Sequence, residues 1–176
     1  INGSFFSSAA GGGLNISGLS ASQGDVYSTF EAGRVDALNI TQSNIASIIR
    51  GSGTGTNHTP ATTIYNAING SEKIVSAGVN SAGSSALSTE LHPRTAAGVT
   101  ASGKLLLFVV DGRNNGHSLG MSLSEVANLL IQYGAYNAIN LDGGGSSTMV
   151  FRDPTPRLVN VPVGSGSPDT ERAVGN

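Results

Sequence analysis

The chain has 176 residues, a formal net charge of −2 and only 11% charged side chains against 38% hydrophobic ones. It is long enough to bury a core of its own, and uncharged polar groups must cover most of its surface. With 9 Lys and Arg against 11 Asp and Glu, no field exists to hold a nucleic-acid backbone, which argues against nucleic acid as a partner. The absence of cysteine removes disulfide scaffolds, thiolate metal centres and cysteine nucleophiles.

Residues 1–6 read as a strand that begins on Ile1 rather than Met, which suggests a domain excised from a longer protein and occupying 1–176 as one unit. Strands are predicted over residues 25–30 and 34–40 from their β-branched and aromatic content. Short helices are predicted over 44–50 and 62–68, the former from the spacing of Ile45, Ile48 and Ile49. A strand over 74–79 follows, then one over 104–111 that holds the longest apolar run, Leu105 to Val110, and reads as buried. That run is far short of the ~18 residues of a membrane-spanning helix. Ser122 followed by Glu125 is a capping box, and Gly134 is a stop, so a helix is predicted between them with Val126, Leu129, Leu130 and Tyr133 facing a core. Strands over 136–141, 147–151 and 158–163 complete the set. Segments rich in Gly, Ser, Thr and Asn at 7–13, 51–59 and 81–88 read as surface loops, and no repeat or heptad period occurs. The expected fold is mixed α+β: a strand-rich single domain with a central sheet, few helices and long Gly/Ser-rich loops.

The two apolar strands flanking the helix both end in Asp-Gly, at Asp111-Gly112 and Asp142-Gly143. If they are parallel neighbours joined by a right-handed crossover, both carboxylates emerge at one carboxyl edge, where such sheets place ligands. Asp-Gly alone is also ordinary turn chemistry. At Asp142, however, three glycines and two serines follow, more than one turn needs. Consecutive amides of Gly143, Gly144 and Gly145, with the hydroxyls of Ser146 and Ser147, could form an anion-holding concavity. No lysine follows the glycines and no Gly-x-Gly-x-x-Gly spacing occurs, so nucleotide cofactors are not supported. Arg94, between Pro93 and Thr95, could clamp a phosphate or carboxylate, or brace one of the aspartates. His58, His92 and His117 lack zinc-ligand spacing, and taken alone Glu171 and Arg172 read as a surface ion pair.

In order along the chain, Ile-Asn-Gly-Ser-Phe-Phe (1–6), His-Pro-Arg-Thr-Ala-Ala-Gly (92–98), Val-Asp-Gly-Arg (110–113), Gly-Met-Ser-Leu-Ser-Glu (120–125), Asn-Leu-Asp-Gly-Gly-Gly-Ser-Ser (140–147) and Glu-Arg-Ala-Val-Gly-Asn (171–176) resemble the phosphodiester glycosidase family. Gly3-Ser4 departs from the family's opening block, and residues 51–59 match nothing in it. The resemblance implies hydrolysis of a sugar-1-phosphodiester at the anomeric C–O bond, releasing a GlcNAc-like sugar and a phosphomonoester. The residues then expected to act are Asp142 at the anomeric centre with Asp111 and Glu171 as further acids. Arg94, Thr95, Gly143, Gly144, Gly145, Ser146, Ser147, Asn2 and Arg172 are expected to bind phosphate or brace the pocket. No cofactor is expected, and the partner is a phosphorylated glycan.

Two rival readings start from the same residues. In one, Asp111, Asp142 and Glu171 gather around a hard cation such as Ca²⁺ or Mg²⁺ and a P–O bond is broken. In the other, the chain is a non-catalytic glycan-binding module of a surface or phage-tail protein. Family analogy and the lack of cysteine favour an extracellular or cell-surface setting, bacterial or viral. Asn15, Asn39, Asn57 and Asn69 begin Asn-x-Ser/Thr triplets that would matter only on a eukaryotic secretory route.

Overall fold

Short strands punctuated by glycine-rich turns build two antiparallel sheets in the computed structural model, which describes residues 1–164 and 166–174. Gly175 and Asn176 of the closing family block lie outside the described residues. In chain order the elements begin β1 (Phe6–Ser8), β2 (Leu14–Ile16), β3 (Ser20–Ser22), β4 (Asp25–Ser28), β5 (Asp36–Ile40), β6 (Ala46–Gly51), β7 (His58–Thr59) and β8 (Asn66–Asn69). They continue with β9 (Glu72–Ser76), β10 (Val79–Asn80), α1 (Ala86–Thr89), β11 (Arg94–Thr100), β12 (Leu105–Val110), α2 (Leu123–Gln132), β13 (Ala135–Asn140), β14 (Val150–Arg152) and β15 (Pro156–Leu158).

One sheet has six strands in the order β4-β3-β8-β5-β6-β7, and the other has five in the order β10-β9-β13-β11-β12. The pairs β1-β2 and β14-β15 are separate two-stranded ribbons. The strand alternation decides which side chains meet. Ala97 and Val99 of β11, with Ile139 of β13 and the adjoining Leu141, pack against Leu38, Ala46 and Ile48 of the six-stranded sheet. Ala96 and Ala138, pointing the other way, pack beneath Leu123, Val126, Ala127 and Leu130 of α2. The fold is therefore α+β and mainly β, with helices on the outer face of the five-stranded sheet. The capping box of α2 is present in full: Ser122 Oγ accepts from the Glu125 N–H, and the Glu125 carboxylate accepts from the Ser122 N–H at 2.8 Å.

Several expectations are corrected. Residues 44–50 and 62–68 are not helical; they contribute β6 and β8, which pair with β5 on either side. Their β-branched isoleucines fit a pleated core surface better than a helix face. The apolar run of β12 is an edge strand, with Leu105 and Leu107 exposed, rather than a buried one. β12 and β13 are parallel to each other, as the crossover requires, but they are not neighbours: β11 lies between them, antiparallel to both. That strand escapes propensity reasoning because its middle is Ala-Ala-Gly, residues 96–98. Small residues are what its position demands, since a Cβ on Gly98 would already lie 3.2 Å from the Ala135 Cβ and 3.5 Å from Leu130. The triplet asparagines Asn39 and Asn69 are internal; Asn69, for example, donates to the backbone oxygens of Arg34 and Asp36.

Candidate active site

Inserting β11 between β12 and β13 brings three chain segments to one sheet edge: the end of β12 with Asp111, the start of β11 with Arg94, and the end of β13 with Asp142. Ala96 pairs with Asn140, and the Leu141 N–H donates to the Thr95 oxygen at 2.8 Å, so the next step in register sets Asp142 across from Arg94. The opening segment then locks this edge. The Asp142 N–H donates to the Gly3 oxygen, while Asn2 Nδ2 donates to the Asp142 carbonyl at 2.6 Å. Asn2 Oδ1 accepts from Thr95 Oγ1 at 2.8 Å and from the Thr148 N–H at 3.1 Å. Asn2 and Thr95 are both buried behind the site and act as its staple.

The glycine run is a 3-10 turn at Gly144–Ser146 rather than an open nest of amides. The Gly144 N–H donates to the Pro93 oxygen, the Ser146 N–H to the Gly143 oxygen and the Ser147 N–H to the Gly144 oxygen. The glycines instead permit close approach. A Cβ on Gly143 would meet the Pro93 oxygen at 2.9 Å, and Gly144, at φ 59°, would carry a Cβ 3.0 Å from Arg113 Nη1. Three of the amides expected to form an anion-holding concavity or to adjoin it, those of Gly144, Ser146 and Ser147, thus bond backbone oxygens.

Arg94, Arg113 and Arg172 line a cleft of about 230 Å³ together with Asp142, Asn140, His92, Phe5, Leu87 and the three glycines. Arg94 is held by the backbone: its Nε donates to the Met121 oxygen at 2.8 Å, and Nη2 donates to the Leu87 and Glu90 oxygens at 2.7 and 2.6 Å. It thus braces the edge and presents a fixed cation in one arrangement. Burial, and then the nearby Arg113 cation, push its pKa down, although a guanidinium stays charged under such shifts. Two arginines that repel each other in a cleft are relieved by an anionic guest. Arg113 Nη2 donates to His92 Nδ1 at 3.3 Å, which leaves His92 Nε2, 3.1 Å from Glu90 Oε2, as the N–H that donates to that carboxylate.

Asp142 is the one carboxylate among the described residues lining this cleft. Burial raises its pKa; hydrogen bonding from Ser146, the Arg172 charge, the Gly143 N–H and the Arg34 charge pull it back in part. Arg172 Nη2 lies 3.9 Å from Asp142 Oδ2 and donates to Ser146 Oγ. Arg34 stacks on Phe5 with its guanidinium carbon 4.1 Å from the ring centroid, a geometry in the cation–π range.

The structure brings Asp142, Arg94, Gly143, Gly144, Gly145 and Arg172 together at the cleft, with Ser146 bonded to two of them. Ser147 is buried beneath and accepts from Thr95 Oγ1 at 3.4 Å. Asp111 reaches the same sheet edge but turns away from the cleft: Oδ1 accepts from Asn160 Nδ2 at 3.0 Å and the Val161 N–H at 2.9 Å, and Oδ2 lies 2.9 Å from His117 Nε2. Glu171 lines a different hollow, of about 360 Å³, which shares Arg172 with the cleft. Asp111, Asp142 and Glu171 therefore do not gather around one point. Arg113, His92, Asn140, Phe5 and Leu87 are the cleft residues that sequence reasoning left without a role. Arg113 had a signal, since it follows Asp111-Gly112 at the same edge.

A family model for phosphodiester glycosidase matches residues 1–176. Over 61 residues the chain is 46% identical to N-acetylglucosamine-1-phosphodiester alpha-N-acetylglucosaminidase of Mus musculus and 44% identical to that of Homo sapiens. Those residues are 35% of this chain but 11% and 12% of the two relatives, so the match spans about a tenth of their length. Over 56 residues, 32% of this chain and 8% of the relative, it is 43% identical to an SPbeta prophage-derived protein of Bacillus subtilis. The zebrafish N-acetylglucosamine-1-phosphodiester alpha-N-acetylglucosaminidase catalytic domain, auto-inhibited by its pro-peptide, superposes with TM-score 0.65 at 25% identity, covering 92% of this chain and 54% of that one. A Burkholderia pseudomallei chain shares the fold with TM-score 0.71 at 16% identity, covering 99% of this chain and 64% of the other.

Proposed function

The chain belongs to the phosphodiester glycosidase family, and from that premise we propose that it hydrolyses a sugar-1-phosphodiester, of GlcNAc or a similar sugar, at the anomeric C–O bond. The observation that carries the proposal is the cleft in which one half-buried carboxylate, Asp142, stands among Arg94, Arg113 and Arg172. In the reaction, the oxygen of water bonds C1 while the C1–O bond breaks and its electron pair leaves with the phosphate, and the proton that water gives up passes to the released phosphomonoester or to solvent. A phosphomonoester is a good leaving group, so a general acid is needed less than in ordinary glycoside hydrolysis. The arginines take up the departing negative charge, and Asp142 faces the positive charge that grows at C1. The setting that suits a phosphorylated glycan substrate is extracellular or at the cell surface, and among the described residues no helix is long and apolar enough to cross a membrane.

The test is product analysis on GlcNAc-1-phosphodiesters with wild type and Asp142→Asn, folding being checked in parallel. Wild type is expected to release free reducing sugar and phosphomonoester, and Asp142→Asn to lose about 10²- to 10⁴-fold in kcat. Phosphate left on the sugar together with loss of activity in chelator would instead establish P–O cleavage. Saturable binding with no turnover would establish a recognition module.

A further inference from the structure

We infer that Asn140 reads a hydrogen-bond donor on the sugar, a hydroxyl or an amide N–H, through its side-chain oxygen, and so sets which sugars the cleft accepts. The inference rests on the glycosidase reading of the cleft. Asn140 ends β13, two residues beyond Ala138, and on a strand that spacing puts its side chain on the helix-facing side of the sheet. A packed core would favour an apolar residue there, yet the position holds an amide only 2% exposed. Its Nδ2 donates to Ser71 Oγ at 2.8 Å, which fixes the amide plane. Its Oδ1 is buried and has no hydrogen-bond partner. Buried polar atoms are nearly always paired, and one left over calls for an explanation.

Four buried side-chain atoms lack a partner among the described residues, and Asn140 Oδ1 is the one whose residue lines the cleft of Asp142. The three arginines there offer donors, yet none reaches this oxygen. A phosphodiester group carries acceptors and no donor, so it has nothing to give Asn140. The sugar does: its hydroxyls, or an acetamido N–H, are donors. A neutral acceptor discriminates between sugars by the penalty it imposes when left unpaired, because a substrate without the donor returns the site to its unsatisfied state.

The experiment compares kcat/KM for wild type, Asn140→Leu and Asn140→Asp on a GlcNAc-1-phosphodiester and on analogues that each lack one sugar donor. For wild type, removal of one particular donor is expected to lower kcat/KM by about 10- to 100-fold. Asn140→Leu should lose a similar factor on the full substrate and then be indifferent to that donor. Asn140→Asp, which keeps an acceptor, should retain the discrimination. Asn140→Leu removes the unpaired oxygen but also the bond to Ser71 Oγ, two effects of opposite sign on Tm, so kcat/KM is compared per folded molecule. If Asn140→Leu discriminates every donor as wild type does, or loses Tm while kcat/KM per folded molecule is unchanged, the inference is overturned and the reaction stands. A wild type that hydrolyses no sugar-1-phosphodiester overturns both.

Discussion

At Asp142, burial of the carboxylate works against the fold. Its pKa is raised chiefly by desolvation, so ionising it opposes folding. That penalty is absent in acid, where the group is protonated in the folded and unfolded chain alike, and is complete once the pH has risen past the folded-state pKa. Melting curves across pH should therefore show Asp142→Asn equal to wild type in acid and more stable than it near neutrality. In kinetics the sign is the same: the acid limb of kcat/KM should lie above the range of a free aspartate. The Ser146 bond pulls this pKa down, so Ser146→Ala should move the limb to still higher pH, and a limb that stays in place would remove Asp142 from the rate. Asp142 was legible in the sequence because one turn does not need Asp-Gly-Gly-Gly-Ser-Ser. Asn140 was not, since what marks it is the lack of a partner inside a folded cleft.

The elements around the cleft separate the carboxylate that lines it, Asp142, from the one that holds its edge, Asp111. Asp111 ties the edge of β12 to residues 160–161, and Asn160 in turn donates to the Ser147 oxygen and accepts from the Met149 N–H. Asp111→Ala is expected to lose about 2 kcal/mol and lower Tm by about 4–8 °C, with far less effect on the rate per folded molecule than Asp142→Asn. Equal rate losses would return Asp111 to the chemistry. Arg172 depends on a similar device. Residue 164 packs against the chain that delivers it, and a Cβ on Gly164 would fall 2.5 Å from the Arg172 nitrogen and 2.7 Å from the Thr170 oxygen. Gly164→Ala should therefore raise KM for the phosphodiester by displacing Arg172, together with a Tm loss of the size that about 1–3 kcal/mol of overpacking brings. An unchanged KM would show that Arg172 is not needed where the structure has it. Glycine at that position carried no sequence signal, because its neighbours come from residues 170–172.

Across the molecule a net charge of −2 coexists with three arginines in one small cleft, so an anion should bind locally although the protein as a whole does not attract one. Inorganic phosphate is expected to raise Tm, by the equivalent of about 2.7 kcal/mol at a hundred times its Kd. The effect should shrink with added salt and be weakened in Arg113→Gln, whose exposed side chain can be changed without touching the core. A Tm that ignores phosphate would leave the cluster without its guest. Composition by itself determined a domain with a core and a polar, weakly charged surface; local pattern determined that strands outnumber helices, together with the capped helix and the Asp-Gly turns, since propensity, capping and turn chemistry act within a few residues. Only the tertiary structure decided that β11, with Ala-Ala-Gly at its middle, lies between β12 and β13, that the Gly144, Ser146 and Ser147 amides bond backbone oxygens, and that Asp142 rather than Asp111 lines the cleft of the arginines. Each of these outcomes is fixed by which distant segment fills the neighbouring space, and local propensity contains no record of that.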